Sequence, residues 1–170
     1  MAIDKKMEGA FNDQINKEYY SEYLYMAMKA RFADMNLEGF VNWFDIQMQE
    51  ERAHAEGMYN YVLERGGSIE LFAIDKPEIK GSTPVEIFRQ VLEHEQYVTS
   101  RINALADVAD EVKDRAALIF LNWYIKEQVE EEASVGGVLA KLELIGDDKQ
   151  GILALDKELA ARVFNPPVIG

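Results

Sequence analysis

Gly66-Gly67-Ser68-Ile69-Glu70-Leu71-Phe72-Ala73-Ile74-Asp75-Lys76-Pro77-Glu78-Ile79-Lys80-Gly81-Ser82-Thr83-Pro84-Val85-Glu86 separates two stretches of strong helical periodicity. Its length limits how they can be joined. Gly66-Gly67 signals a helix C-terminus, and Pro84 with Glu86 after Ser82-Thr83 signals a capped helix start. Residues 68–82 between these signals, at roughly 3.3 Å per extended residue, can travel the ~40 Å length of a long helix. Working outward, the spacing predicts helices α1 over about 4–33 and α2 over about 37–65 before the connection. After it come α3 over about 84–110, α4 over about 112–145 and, past Gly146-Asp147-Asp148, a short α5 over about 149–162. Asn165-Pro166-Pro167 cannot continue a helix. The α1–α2 and α3–α4 links are very short, so each pair forms an antiparallel hairpin. The long connection lets α3 start at the end of the bundle where α2 began. The expectation is an all-α four-helix bundle with one long α2–α3 crossover and a short fifth C-terminal helix, with residues 1–170 as one domain.

Composition narrows the chemistry. The 170 residues carry a formal net charge of −13, which repels nucleic acid and anionic membranes and attracts cations. Cysteine is absent, which excludes disulfides, thiolate metal sites and iron–sulfur clusters. The N-terminal residues lack the apolar run of a signal peptide, and no uncharged run approaches the ~20 residues of a membrane helix. A cytoplasmic protein with no nucleic-acid or membrane partner is expected.

Each long helix carries a seam with steps of three and four. That of α1 reads Met7, Phe11, Gln14, Glu18, Ser21, Tyr25, Met28, Phe32, and that of α2 reads Phe40, Phe44, Gln47, Glu51, His54, Met58, Tyr61. The α3 seam passes through Glu95 and the α4 seam through Gln128 and Glu131. Every seam is apolar at its ends and polar near its middle. In a bundle of similar-length helices the midpoints share a layer, and axes ~8–10 Å apart let such side chains converge. One glutamate on a seam reads as a solvated edge residue. Four at one depth, with no lysine or arginine on the seams beside them, call for cations, because an unpaired buried carboxylate costs several kcal/mol. Oxygen-rich ligation with one imidazole suits iron or manganese. The remaining histidine, His94, lies one position off the α3 seam and reads as a surface residue. Gly136-Gly137 inside α4 implies a kink or a close helix contact.

With Glu51-x-x-His54 on α2 and Glu18 and Glu95 on α1 and α3, the pattern resembles the ferritin-like di-metal ligand set, a Glu from two helices and Glu-x-x-His from the other two. Helix α4 departs from it, offering Glu127-Gln128 and Glu130-Glu131-Glu132 without histidine. Over nearly the whole chain the sequence resembles bacterial and archaeal non-haem ferritins. The matching motifs are Asn12-Asp13-Gln14-Ile15-Asn16-Lys17-Glu18-Tyr19-Tyr20-Ser21, Glu50-Glu51-Arg52-Ala53-His54-Ala55, His94-Glu95, Trp123 through Glu132, and Asp156-Lys157-Glu158-Leu159.

The resemblance implies iron storage and detoxification. A ferroxidase would oxidise Fe²⁺ with dioxygen at an intra-subunit di-iron site and store ferric mineral in a hollow homo-oligomeric cage, a 24-mer. One iron would be held by Glu18, Glu51 and His54. The second would share Glu51 and add Glu95, with Gln128 close by. Glu50, Glu127, Glu130 and Glu131 match a third iron position of prokaryotic ferritins. Tyr25 matches a tyrosine bordering the site that supplies an electron; its other reading is an ordinary core aromatic with a bonded hydroxyl. Arg52 stands where bacterioferritins carry a haem-ligating Met, so no haem is expected. Leu118 and Leu121 replace the acidic pair lining the three-fold pores of vertebrate ferritins. The alternative function is a non-storage di-iron oxidase or peroxidase on the same bundle.

Overall fold

The computed structural model describes residues 2–169 and contains five helices and no strand among them. Helices α1 (Lys5–Asp34), α2 (Glu38–Glu64), α3 (Pro84–Glu111) and α4 (Arg115–Ile145) form the bundle, and α5 (Lys149–Leu159) follows. The chemistry of each cap sets these ends. Asp4 starts α1 by accepting from Lys6 N, and Thr83 with Glu86 completes a reciprocal capping box at α3, with Pro84 in its first turn. Helix α4 begins at Arg115, later than its periodicity suggests. Lys113 turns through a left-handed φ of 59°, and Asp114 caps Ala117 N at 3.1 Å. Helix α5 ends earlier than its spacing suggests, at Leu159.

Cross-helix pairs give the topology. Glu22–Arg52 and Lys29–Asp45 run α1 against α2, and Arg89–Glu143 runs α3 against α4. Tyr25–Glu95 and Arg101–Asp13 run α1 against α3, and Gln47–Glu131 runs α2 against α4. Around the bundle every neighbour is therefore antiparallel, so α2 and α3 are parallel and the crossover must return along the full bundle. It does so without secondary structure. Asn12 and Asn16 of α1 hold it through Ser68 O, Glu70 N and Ala73 O, and Gln90 of α3 holds it through Glu78 O and Lys80 N. These side chains replace the ladder the extended backbone lacks. Helices α2 and α4 are the most widely spaced neighbours: none of their Cα atoms approach within 8 Å.

The core is divided. One apolar cluster gathers Phe32, Phe40, Phe44, Phe88 and Leu142, and the other gathers Phe11, Met58, Val98, Ile102 and Leu121. Between them lies a buried polar layer including Gln14, Glu18, Gln47, Glu51, His54, Glu95, Gln128 and Glu131. Helix α5 packs on α2, where Asp156 Oδ1 accepts from Gly39 N at 2.8 Å and Phe40 N at 3.0 Å. That approach needs glycine, since a Cβ at position 39 would lie 1.6 Å from Asp156 O. Asp156 thus caps a helix that has no side-chain cap from its own N-cap residue. Gly136-Gly137 makes no close contact within the subunit. Helix α4 runs unbroken through them, and a Cβ at either meets no atom within 4 Å, so no contact inside the subunit requires them.

Candidate metal centre

Glu18, Glu51, His54 and Glu95 arrive in the polar layer from α1, α2 and α3 because each stands near the middle of a seam whose ends are locked in apolar packing. Their exposures are 1%, 1%, 2% and 0%. Ligand atoms of Glu18, Glu51 and His54 all lie within 4.8 Å of one another. His54 Nδ1 is 3.5 Å from Glu51 Oε2 and 4.0 Å from Glu18 Oε2. Gln14 Nε2 donates to Glu18 Oε1 at 2.7 Å, which turns the other carboxylate oxygen toward His54. Glu95 is oriented from two sides: Tyr25 donates its hydroxyl proton to Oε1, and Gln128 Nε2 lies 3.2 Å from Oε2.

The imidazole of His54 separates two acidic groups. Its Nε2 faces away from Glu51 toward Glu127, at 3.9 Å, and His54, Glu127 and Glu131 form a second cluster within 4.8 Å. Gln47 Nε2 donates to Glu131 Oε2 at 3.0 Å. Tyr124 donates to His54 O at 2.8 Å, and the Trp123 ring stands edge-on to the imidazole at 5.5 Å. The wide spacing of α2 and α4 leaves room for these large groups.

The predicted third-position residues divide. Glu127 and Glu131 join His54, whereas Glu130 lies on the exposed face of α4 and Glu50 is engaged by Arg162 at 2.7 Å. Tyr25 is fully buried and touches Glu95 directly. His94 differs from its sequence reading. It is half-buried under Tyr20, stands edge-on to Tyr25 at 5.8 Å and shares a 2.8 Å hydrogen bond with Ser21 Oγ. Tyr20 covers the position just beside the α3 seam. Seam reading also left Gln14, Gln47, Tyr124 and Arg162 without roles. The first two were visible as polar interruptions one turn before Glu18 and Glu51. Arg162 had no periodic signal.

Electrostatics shows what the layer lacks. Burial pushes the Glu51 carboxyl well above the ordinary range, and the charges of Glu95 and Glu18 push it further. Glu95 is raised to about 8, first by burial and then by Glu131, although Tyr25 and Gln128 hydrogen-bond to it. Burial also raises Glu131 and Glu127. Among the described residues no Lys or Arg pairs with Glu18, Glu51, Glu95 or Glu131. Glu51 Oε2 and His54 Nε2 are buried without hydrogen-bond partners. Such orphaned buried polar atoms cost about 1–3 kcal/mol each. One lies on each side of the imidazole, where a cation would take them up. The donor set, carboxylates with one imidazole, fits iron.

The sequence matches the Ferritin-like domain family over residues 8–145. The bacterial non-heme ferritin of Staphylococcus aureus is 41% identical over 163 residues, covering 96% of this chain and 98% of that protein. The protein of the same name from Staphylococcus saprophyticus is likewise 41% identical over 163 residues, again covering 96% and 98%. Among solved structures, the open pore ferritin of the hyperthermophilic archaeon Archaeoglobus fulgidus superposes with a TM-score of 0.93 at 48% identity over 95% of this chain and 98% of that one. A closed form of the same ferritin made by site-directed mutagenesis gives a TM-score of 0.95 at 47% identity over 96% and 100%.

Proposed function

The chain belongs to the ferritin family, and from that premise we propose that its buried carboxylate layer is a ferroxidase centre serving iron storage. The observation that carries the reading is the convergence of Glu18, Glu51 and His54 at near-complete burial, with Glu95 buried in the same layer, close enough for its charge to act on Glu51, and no cationic side chain among them. Two Fe²⁺ ions are the substrates. Glu18 and His54 hold one, Glu95 holds the other with Gln128 beside it, and Glu51 lies between the two. Each Fe²⁺ gives up one electron to dioxygen, and the clustered carboxylates stabilise the added charge of Fe³⁺. Glu127 and Glu131, with Glu50 and Glu130 at its edge, form an outer position through which iron leaves for the mineral. Tyr25, whose hydroxyl donates to Glu95, is the residue we propose to supply a further electron to the oxygen being reduced.

The assembly follows the same reading: a hollow 24-subunit cage without haem, in the cytoplasm, with no nucleic-acid partner. No described helix is long and apolar enough to cross a membrane. Aerobic addition of Fe²⁺ tests the proposal. Rapid growth of ferric absorbance, with iron and protein co-eluting as one large species on gel filtration, is expected. Oxidation followed by precipitation of the iron would favour a non-storage oxidase, and no oxidation would refute the centre. Glu18→Ala or His54→Ala should slow the fast phase about tenfold or more with the oligomer intact.

A further inference from the structure

The segment after α5 turns back across the bundle. Arg162 Nη2 lies 2.7 Å from Glu50 Oε2, its guanidinium carbon sits 5.1 Å from the Trp43 ring centroid, and its Nη1 is 3.5 Å from Trp43 O. Two turns further along α2 the tail touches again, because Ile169 Cδ1 lies 2.9 Å from where a Cβ of Gly57 would be. Residues 162–169 therefore strap the face of α2 carrying Glu50. Glu50 also feels the charges of His54 and Glu127, and Glu131 feels those of Glu50 and Arg162. Among the described residues Arg162 is the one Lys or Arg paired with any of Glu50, Glu127, Glu130 and Glu131.

We infer that Arg162 is a tethered cation that holds Glu50 out of the outer metal position and so sets the affinity of that position. The inference rests on reading the His54–Glu127–Glu131 cluster as a metal position. A guanidinium stays charged at any working pH, so its bond to Glu50 Oε2 opposes ligation by that carboxylate until Arg162 moves aside. The same guanidinium already lies over the Trp43 ring, a cation–π contact it can keep when its bond to Glu50 breaks, so release need not send it into solvent. An ion arriving at Glu127 and Glu131 thus competes with a charge built into the chain. The outer position binds loosely, as a transit position requires.

Zn²⁺, which is not oxidised, is the probe. Isothermal titration of the intact oligomer should show two tight ions per subunit in the wild-type protein and in Arg162→Gln. A further ion should bind about tenfold more tightly in Arg162→Gln. Arg162→Lys, which keeps the charge, should stay near wild type. The gain should vanish in the double variant Arg162→Gln/Glu50→Gln. Equal outer affinity in wild type and Arg162→Gln would overturn the inference. A gain that survives loss of Glu50 would also overturn it, since it would mean only a loosened tail. Absence of the two tight ions from the wild-type protein would instead refute the di-iron reading beneath it.

Discussion

Replacing Glu51 by methionine separates a residue kept for metal from one kept for folding. Glu51 is 1% exposed, and its Oε2 has no partner. Without a bound ion its carboxyl either carries a charge among like charges or holds a proton in an apolar setting, and both are unfavourable. Methionine fills a similar volume without the polar atoms. An unpartnered buried acceptor costs about 1–3 kcal/mol, and apolar replacement of buried charges is neutral to ~4 kcal/mol stabilising. The metal-free Glu51→Met subunit should therefore gain about 1–3 kcal/mol, roughly 2–12 °C in thermal midpoint for a chain of this size. Zinc should reverse the order. An ion at 100 times its Kd adds about 2.7 kcal/mol to the wild-type protein, and the variant, lacking the shared ligand, should gain much less. Scanning calorimetry with chelator and with Zn²⁺ reads both effects. A metal-free variant less stable than wild type, or equal zinc shifts in both proteins, would refute the reasoning.

Other outcomes follow from the same geometry. Asp156→Ala removes the acceptor that caps α2 at Gly39 and Phe40 and should cost about 1–2 kcal/mol in chemical denaturation; an unchanged midpoint would mean α5 is held by apolar packing alone. Gly39→Ala should be at least as damaging, read as loss of the oligomer or a lowered midpoint, because its Cβ would overlap Asp156 O. Glu86, whose hydrogen bonds to Ser82 and Thr83 hold its carboxyl at about 2, contributes stability that is complete above its ordinary value of 4.5 and lost as pH falls toward 2. Glu86→Gln should therefore lower the midpoint at pH 6 and converge with wild type near pH 2; parallel curves across that range would exclude the capping role. Tyr124→Phe deletes the hydroxyl bonded to His54 O and should cost about 1 kcal/mol while leaving Zn²⁺ stoichiometry unchanged.

The bundle and its polar layer were legible in the sequence because both are periodic signals. Seam residues of α1 to α4 repeat at helical spacing, and Glu18, Glu51, Glu95 and Gln128 interrupt that repeat at matching depth. The crossover length sufficed to choose the topology. Features created by contact between distant segments left no such trace. Arg162 meets Glu50 across 112 positions, and Asp156 caps α2 across 117. Nothing near either residue in the chain announces its partner. His94 was misread for a related reason. Helical spacing puts it beside the seam, but Tyr20 and Tyr25 from α1 cover it. Glu130 and Glu131 are adjacent in the sequence yet face solvent and core respectively, so a run of acids names a region and only geometry assigns its members.

The placement of the ligands at mid-helix has a dynamic consequence. Helices of 27 to 31 residues put Glu18, Glu51 and Gln128 about 20 Å from the nearest helix end, at 1.5 Å per residue. Fraying opens the last turn or two and stops well short of that distance. The backbone amides around these residues should therefore be among the slowest in the chain to exchange with deuterium, with or without metal. The crossover, which has no helical ladder, should exchange faster than these mid-helix amides. On the proposed reading, the motion that admits and releases iron falls to side chains and to the 162–169 strap, and the bundle itself need not open.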